Sequence, residues 1–270
     1  MPYAATDFSA FAAKYDQHLP RLQPVSDGLL THLPPVEDGG LVLDIGTGTG
    51  EPALTIARRS PLVQVLGIDN APTMVEVARH KAAAEGLSNV RFAVVDAEQL
   101  DLPSASADAV VSRLGLLLFG DPVRQVNEMA RVLVPGGVFS IATWDRASLN
   151  IFQELTLRVL AEVLPADQLP DVGWMDALAV TGRRETWLSE SGLDPVHSEL
   201  HSWTHVDPDL DHVWQFFLTG PMGPVFAGLG AEETLRAHEF LSQAAADLRM
   251  LDGSYQIPMA CRLLWGQRAE

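Results

Sequence analysis

The chain has 270 residues, 47% of them hydrophobic and 20% charged, which is enough to bury a full core and inconsistent with disorder. Its formal net charge is −17, with lysine only at Lys14 and Lys81, and a surface so acidic repels phosphate backbones and anionic bilayers, so neither nucleic acid nor a membrane is expected as a partner. Cys261 is the only cysteine, the N-terminus lacks the basic and apolar regions of a signal peptide, and no apolar run reaches the roughly 20 residues of a bilayer span, so the expected compartment is the cytoplasm.

Residues 7–33 read as helical, with Phe8, Phe11, Tyr15, Leu19 and Leu22 on one face and breaks at Pro20 and Pro24. The prolines and glycines between Pro34 and Gly40 mark a boundary. A short apolar strand from Leu41 then runs into Gly-Thr-Gly-Thr-Gly, with Pro52 placed to start a helix. A second strand covers 63–69, and a helix from Pro72 stops at Gly86. A third strand covers 90–96, a fourth lies within 107–118, and Val126, Met129, Ala130 and Leu133 share a face of the next helix. The turn Pro135-Gly136-Gly137 leads into a fifth strand ending at Trp144. Strands alternating with helices specify an α/β fold, a doubly wound and mostly parallel sheet covered on both faces.

Residues 148–192 carry two helical patterns with no strand between them. Segments 195–206 and 256–267 read as late strands of the same sheet, separated by helices around 211–218 and 231–250. The insertions are expected to form a helical cap.

The chemistry concentrates at the glycine loop. A strand delivers Asp44 at its carboxyl end, and Gly46, Gly48 and Gly50 let the backbone turn sharply and approach a ligand. The dinucleotide fingerprint G-x-G-x-x-G is broken by Glu51 at its third glycine, and no Gly-Lys-Ser/Thr follows to make a phosphate loop. Asp69 and Asp96 end the second and third strands, so three acids line the edge where open α/β sheets bind ligands. An acid in the position of Asp69 suits a ribose diol.

The motifs LDIGTGTG, GIDNAPTMVEVAR, VVDAEQLDLPSASADAVVSR and NEMARVLVPGGVFSIATW resemble, in order, those of class I S-adenosylmethionine (SAM)-dependent methyltransferases. The closest group is the one related to ubiquinone/menaquinone-biosynthesis methyltransferases. The resemblance implies a Rossmann-like methyltransferase fold, SAM as cofactor and a small-molecule methyl acceptor as partner, with a homodimer left open. It implies one domain over 1–270: a helical cover at 1–40, a SAM-binding core at 41–145, and cap insertions with late strands at 146–270. It also implies that the glycine loop holds the methionine part, Asp69 the ribose, Asn70 and Met74 the adenine surroundings, and Asp96 with the Ala97 amide the adenine edge. Ser112, Arg113 and Leu114 would lie beside the methionine moiety, Arg113 being equally able to pair with a surface carboxylate. Tyr15 would cover the cofactor or simply be core.

The acceptor is less legible. His197, Glu199, His201, Trp203 and His205 alternate on one strand face. His197 and His201 stand about 13 Å apart at 3.3 Å per residue, too far to share a zinc ion. The face reads as half-solvated, with His201 as the one candidate for a general base or acceptor contact. Trp144, Phe217, Met222 and Phe226, with Phe216 and the glycine-rich stretch 220–230, are expected to line a pocket for a largely apolar or aromatic acceptor methylated at O, N or C. A helical cover ahead of a proline-rich break is expected to be mobile. Two other readings share the fold: a SAM-binding enzyme or sensor that does not methylate, and, less well matched to the loop, an NAD-dependent oxidoreductase.

Overall fold

The computed structural model describes residues 12–117, 120–169, 173–220 and 222–270; Phe8 and Phe11 lie outside them. Strands β1 (Leu41–Ile45), β2 (Gln64–Asp69), β3 (Val90–Val94), β4 (Ala107–Arg113), β5 (Leu133–Trp144), β6 (Leu193–Asp207) and β7 (Tyr255–Arg268) form one sheet in the order β3-β2-β1-β4-β5-β7-β6. The first five pair in parallel, and β7 runs antiparallel to both its neighbours. The late segments therefore join the same sheet, as the sequence predicts. The order reverses between β1 and β4, whose loops leave to opposite sides and open a crevice at their carboxyl ends.

The pleat of β1 shows why both faces are covered. Val42 packs with α3 (Ala53–Arg59) and α4 (Pro72–Ala84), whereas Leu43 and Ile45 pack with α5 (Pro122–Val132) and α8 (Arg183–Glu190). Asp121 caps α5 by accepting from the Val123 and Arg124 amides, and Gly86 ends the turn after α4 at φ +68°.

The N-terminal helices differ from expectation. A single turn, α1 (Ala12–Tyr15), is followed by α2 (Leu19–Thr31), which runs through Pro24 instead of breaking there. Pro20 sits in the first turn, where no amide partner is needed. Pro24 removes one helical hydrogen bond, but burial of Leu22, Val25 and Leu29 against the sheet offsets that loss. This packing makes α2 scaffold, which corrects the expectation of a wholly mobile cover.

Helices α6 (Ile151–Val163), α9 (Leu210–Thr219), α10 (Gly223–Ala227) and α11 (Ala231–Ala244) build the cap on the same face as α2. Asn150 ties the cap to the sheet: its side chain donates to the Asp145, Arg146 and Ala260 carbonyls and accepts from the Ala260 amide. Among the described residues no helix is long and apolar enough to cross a membrane.

Arg21 and Asp207 join the start of α2 to the end of β6 through two buried hydrogen bonds of 2.7 and 2.5 Å. The guanidinium also donates to the His212 carbonyl and lies 4.6 Å over the Phe216 ring. Removing one partner of such a pair leaves a buried charge uncompensated. Asp207→Asn should therefore lower stability by about 3 kcal/mol in urea denaturation, and Arg21→Met in the same chain should restore much of it.

Candidate functional site

The loops after β1 and β4 touch at the switch point. Gly46 has φ +71°, and a Cβ on it would lie 2.7 Å from the Gly115 Cα. Its amide and that of Thr47 both donate to the Ile68 carbonyl, fixing the loop to β2. Among the described residues a Cβ on Gly48 would meet one neighbour, the Tyr15 ring at 3.9 Å, so the loop backbone is open to them on the side that Tyr15 covers. Gly50 lies against Leu54 and Ala78 and lets α3 approach α4.

Asp44 is fully buried. One carboxylate oxygen accepts from the Thr47 hydroxyl at 2.7 Å and the Ala53 amide at 3.2 Å, while Oδ1 has no partner among the described residues. Burial raises its pKa to about 7, against the opposing pull of the Thr47 bond and the Arg113 charge. Asp69 sits at the end of β2 and accepts from the Gly48 and Ala71 amides, both at 2.9 Å. Burial raises its pKa as well, though these bonds favour the carboxylate. Each oxygen of Asp69 keeps a further lone pair.

Tyr15 is half-buried, packed with Ala12, Ala71 and Met74, and its phenol is pushed above its ordinary value by burial. The turn after it is pinned by Asp16, which accepts from the Thr49 hydroxyl at 2.5 Å and from Lys81 at 3.2 Å. This latch escapes sequence reasoning, because nothing in the spacing couples positions 16, 49 and 81. Met74 is buried beneath the tyrosine, and Asn70 is exposed beside it. Asp96 is exposed and accepts from the Glu98 amide, and Ala97 is half-buried. Asp69 pairs with Val94 in register, so Asp96 lies just beyond it on the same edge.

Ser112 donates to the Ile45 carbonyl and accepts from the Leu116 amide, so its hydroxyl staples β1 to the β4 loop. Leu114 turns that loop with φ +60°. Arg113 is 8% exposed and donates to Ser26 on α2; among the described residues it has no carboxylate within ion-pair distance, so the surface-pair alternative fails.

The acceptor residues scatter. Phe217 and Phe226 stack at 5.6 Å, are both 2% exposed and lie in the cap's interior, so they are core, and Met222 packs against that core. His201 is mid-strand on β6, beneath α2, with Gly28 over its ring and Nε2 buried without a partner among the described residues. Four strand spacings separate β6 from β1, about 19 Å, so His201 is not brought to the glycine loop. Trp144 does reach the crevice edge. It contacts Phe152 of α6 at 5.3 Å, and Phe152 meets Phe216 edge-on at 5.1 Å. These three rings are half-buried, unlike the core aromatics. Phe152 was hidden in a helical pattern whose apolar face reads as core.

Glu51 weighs against the nicotinamide alternative. It stands where the fingerprint's third glycine would be, and its carboxylate bonds Thr55 and, in the last turn of α3, Arg58.

Comparison with known proteins agrees. A family model described as a methyltransferase domain matches residues 42–137. The ubiquinone/menaquinone biosynthesis C-methyltransferase UbiE of Citrifermentans bemidjiense is 33% identical over 191 residues, covering 70% of this chain and 78% of that protein. A demethylmenaquinone methyltransferase of Deinococcus radiodurans is 39% identical over 124 residues, 46% of this chain and 51% of the relative. The chain thus spans about half the length of the first curated relatives it matches. Among solved structures, the YcgJ protein of Bacillus subtilis superposes with a TM-score of 0.62 at 21% identity, over 92% of this chain and 99% of that one. The [4+2]-cyclase SpnF superposes at 0.57 with 22% identity, over 91% and 81%. These two likenesses show the fold alone.

The chain belongs to the class I SAM-dependent methyltransferases, in the group related to the ubiquinone/menaquinone-biosynthesis enzymes. The residues present fit the family's cofactor. The buried, unpartnered Asp44 oxygen suits an ammonium group, Asp69 retains lone pairs for hydroxyl donors, and the open backbone at Gly48 admits close approach.

Two outcomes follow. An ammonium favours ionised Asp44, so S-adenosylhomocysteine (SAH) should bind more tightly as pH rises through about 7. Calorimetry at pH 5.5 and 8 should differ by up to ~30-fold for the wild type and far less for Asp44→Asn. In the free protein the sign is opposite: a folded pKa raised above the unfolded value of 3.8 gives stability that is lost as pH rises through about 7, so Asp44→Asn should flatten that decline. Hydrogen exchange should slow on SAH binding at residues 12–18, over the loop, and stay unchanged at the packed core of α2.

Proposed function

We propose that the chain methylates a small, planar, largely apolar molecule from SAM. The observation that carries the reading is the unpartnered oxygen of buried Asp44 beside a glycine loop whose open backbone faces Tyr15. SAM, when bound, supplies a methyl group already activated on a sulfonium. The chain's part is then positioning: Asp44, Asp69 and the loop amides orient the donor, while Tyr15 and the α2 scaffold exclude water from one side.

The acceptor surface we infer is the half-buried row Trp144, Phe152 and Phe216, at the mouth of the crevice between β5 and the cap. Aromatic faces in offset and edge contact suit a flat ring better than a polyanion, and the net charge of −17 agrees. The relatives named for quinone methylation support a ring acceptor of this kind. The proposal keeps the organisation of a SAM-binding core with an N-terminal cover and a cap, in the cytoplasm, with no general base assigned.

Incubating the chain with methyl-labelled SAM and a panel of naphthoquinols, benzoquinols and phenols, and measuring SAH and labelled product, tests the reading. Conversion of a panel compound without SAH would identify a non-methylating enzyme instead. Trp144→Ala and Phe152→Ala should each lower kcat/KM at least about tenfold, the scale of a lost aromatic contact, with SAH affinity kept within about 0.5 kcal/mol.

A further inference from the structure

β6 is the outer strand of the sheet, bonded to β7 on one side only. Among the described residues no further hydrogen bond reaches the backbone of residues 196–206, so every second residue there points its N–H and C=O outward unpaired. Natural sheets blunt such an edge with lysine, proline or a bulge. Here Pro195 and the register shift between Leu193 and Val196 interrupt only the start of the strand. From Val196 to Asp207 it keeps unbroken register with β7 and carries no lysine or arginine. One face of this stretch, Ser198, Leu200, Ser202, Thr204 and Val206, is uncharged and exposed, with Leu200 at 41% and Val206 at 52%. Open backbone flanked by exposed apolar and β-branched side chains is a template for another strand.

The other face indicates which strand. It alternates His197, Glu199, His201, Trp203, His205 and Asp207. Two copies of β6 pair antiparallel about a two-fold axis through one residue, because opposed residues share a face. Within the regular span 196–207 the longest ladders have that axis at His201 or at Ser202, and axes farther out shorten the ladder. With the axis at His201, His197 opposes the partner's His205 and His201 opposes itself, which sets like against like. With the axis at Ser202, Glu199 opposes the partner's His205 and His197 opposes the partner's Asp207. On the uncharged face Leu200 then meets the partner's Thr204, and Val206 the partner's Ser198. Asp207 is already held by Arg21, so the Glu199–His205 contact, made twice, carries the match. Glu199 reaches only His32 among the described residues, at 3.9 Å. His205 faces Asp207 through Nε2 at 3.4 Å, and its Nδ1 has no partner among the described residues.

We propose that the chain forms a homodimer by antiparallel pairing of two β6 strands about Ser202, joining two seven-stranded sheets into one. β6 lies four strands from β1, so the interface is separate from the crevice and independent of the methyl-transfer reading.

Cys261, the one native cysteine, is buried and its thiol is pushed up to about 12, so an introduced cysteine reports alone. The wild type should sediment as a dimer within the range of about 1–100 μM. Under mild oxidation Ser202→Cys should give a disulfide-linked dimer, because opposed Cα atoms stand about 4.5–5.5 Å apart, within disulfide reach. Leu200→Cys and Thr204→Cys should each fail alone, their own copies being about 14 Å apart, and should link when mixed. Glu199→Lys, at an exposed position, should weaken the dimer at least about tenfold with unchanged far-ultraviolet circular dichroism. A wild type that stays monomeric at about 100 μM overturns the proposal. A dimer in which Leu200→Cys or Thr204→Cys links to itself while Ser202→Cys does not also overturns it, because the strands would pair in another register. So does a dimer that none of the three cysteines links and Glu199→Lys leaves intact, since it would use another surface.

Discussion

A Cβ on Gly46 or on Gly115 would lie within 2.8 Å of the other's Cα, so the loops leaving β1 and β4 can close on each other only through glycine. That backbone contact brings the two central strands to a common edge. Asp44, near the end of β1, and Arg113, at the end of β4, then lie on one face, one strand and two residues apart, and Ser112 staples the junction from the other face. A side chain at either glycine would part the loops and separate the charges. The ligand-facing surface is thus set by packing of main chain against main chain, and the side chains inherit their positions from it.

The buried charges divide by their partners. Arg21 with Asp207, and Asp145 with Arg184 and Arg262, pair inside the protein and fasten α2 and α8 to the sheet, with Arg184 Nε left without a hydrogen-bond partner among the described residues. Asp44 is fully buried with Oδ1 unpartnered among the described residues, and Arg113, 8% exposed, has no carboxylate within ion-pair distance among them. Natural proteins rarely leave buried ionisable groups in that state except where a ligand completes them.

The N-terminal region shows the same division at the level of dynamics. Residues 19–31 are welded to β4, β5, β6 and β7 through Leu22, Val25 and Leu29. The turn just before them rests on the glycine loop through polar contacts of Asp16 with Thr49 and Lys81. Apolar burial makes the first part scaffold, whereas hydrogen bonds that water can replace make the second releasable.

The sequence by itself determined the strand–loop–helix order, the acids at three strand ends and the meaning of the glycine loop. These follow from local rules: hydrophobic period, turn chemistry, and the few backbone shapes glycine alone adopts. Tertiary structure decided what local rules cannot reach. Phe217 and Phe226 look like a pocket lining in sequence but stack inside the cap, and His201 looks available but lies under α2, because which face of an apolar helix or strand is covered depends on distant segments. Phe152 and Phe216 have the same composition as core, pack against it and yet stay half-buried. The resemblance singles out Arg113, but its bond to Ser26 and its lack of a counter-ion among the described residues exist only once β4 and α2, far apart along the chain, have been brought together.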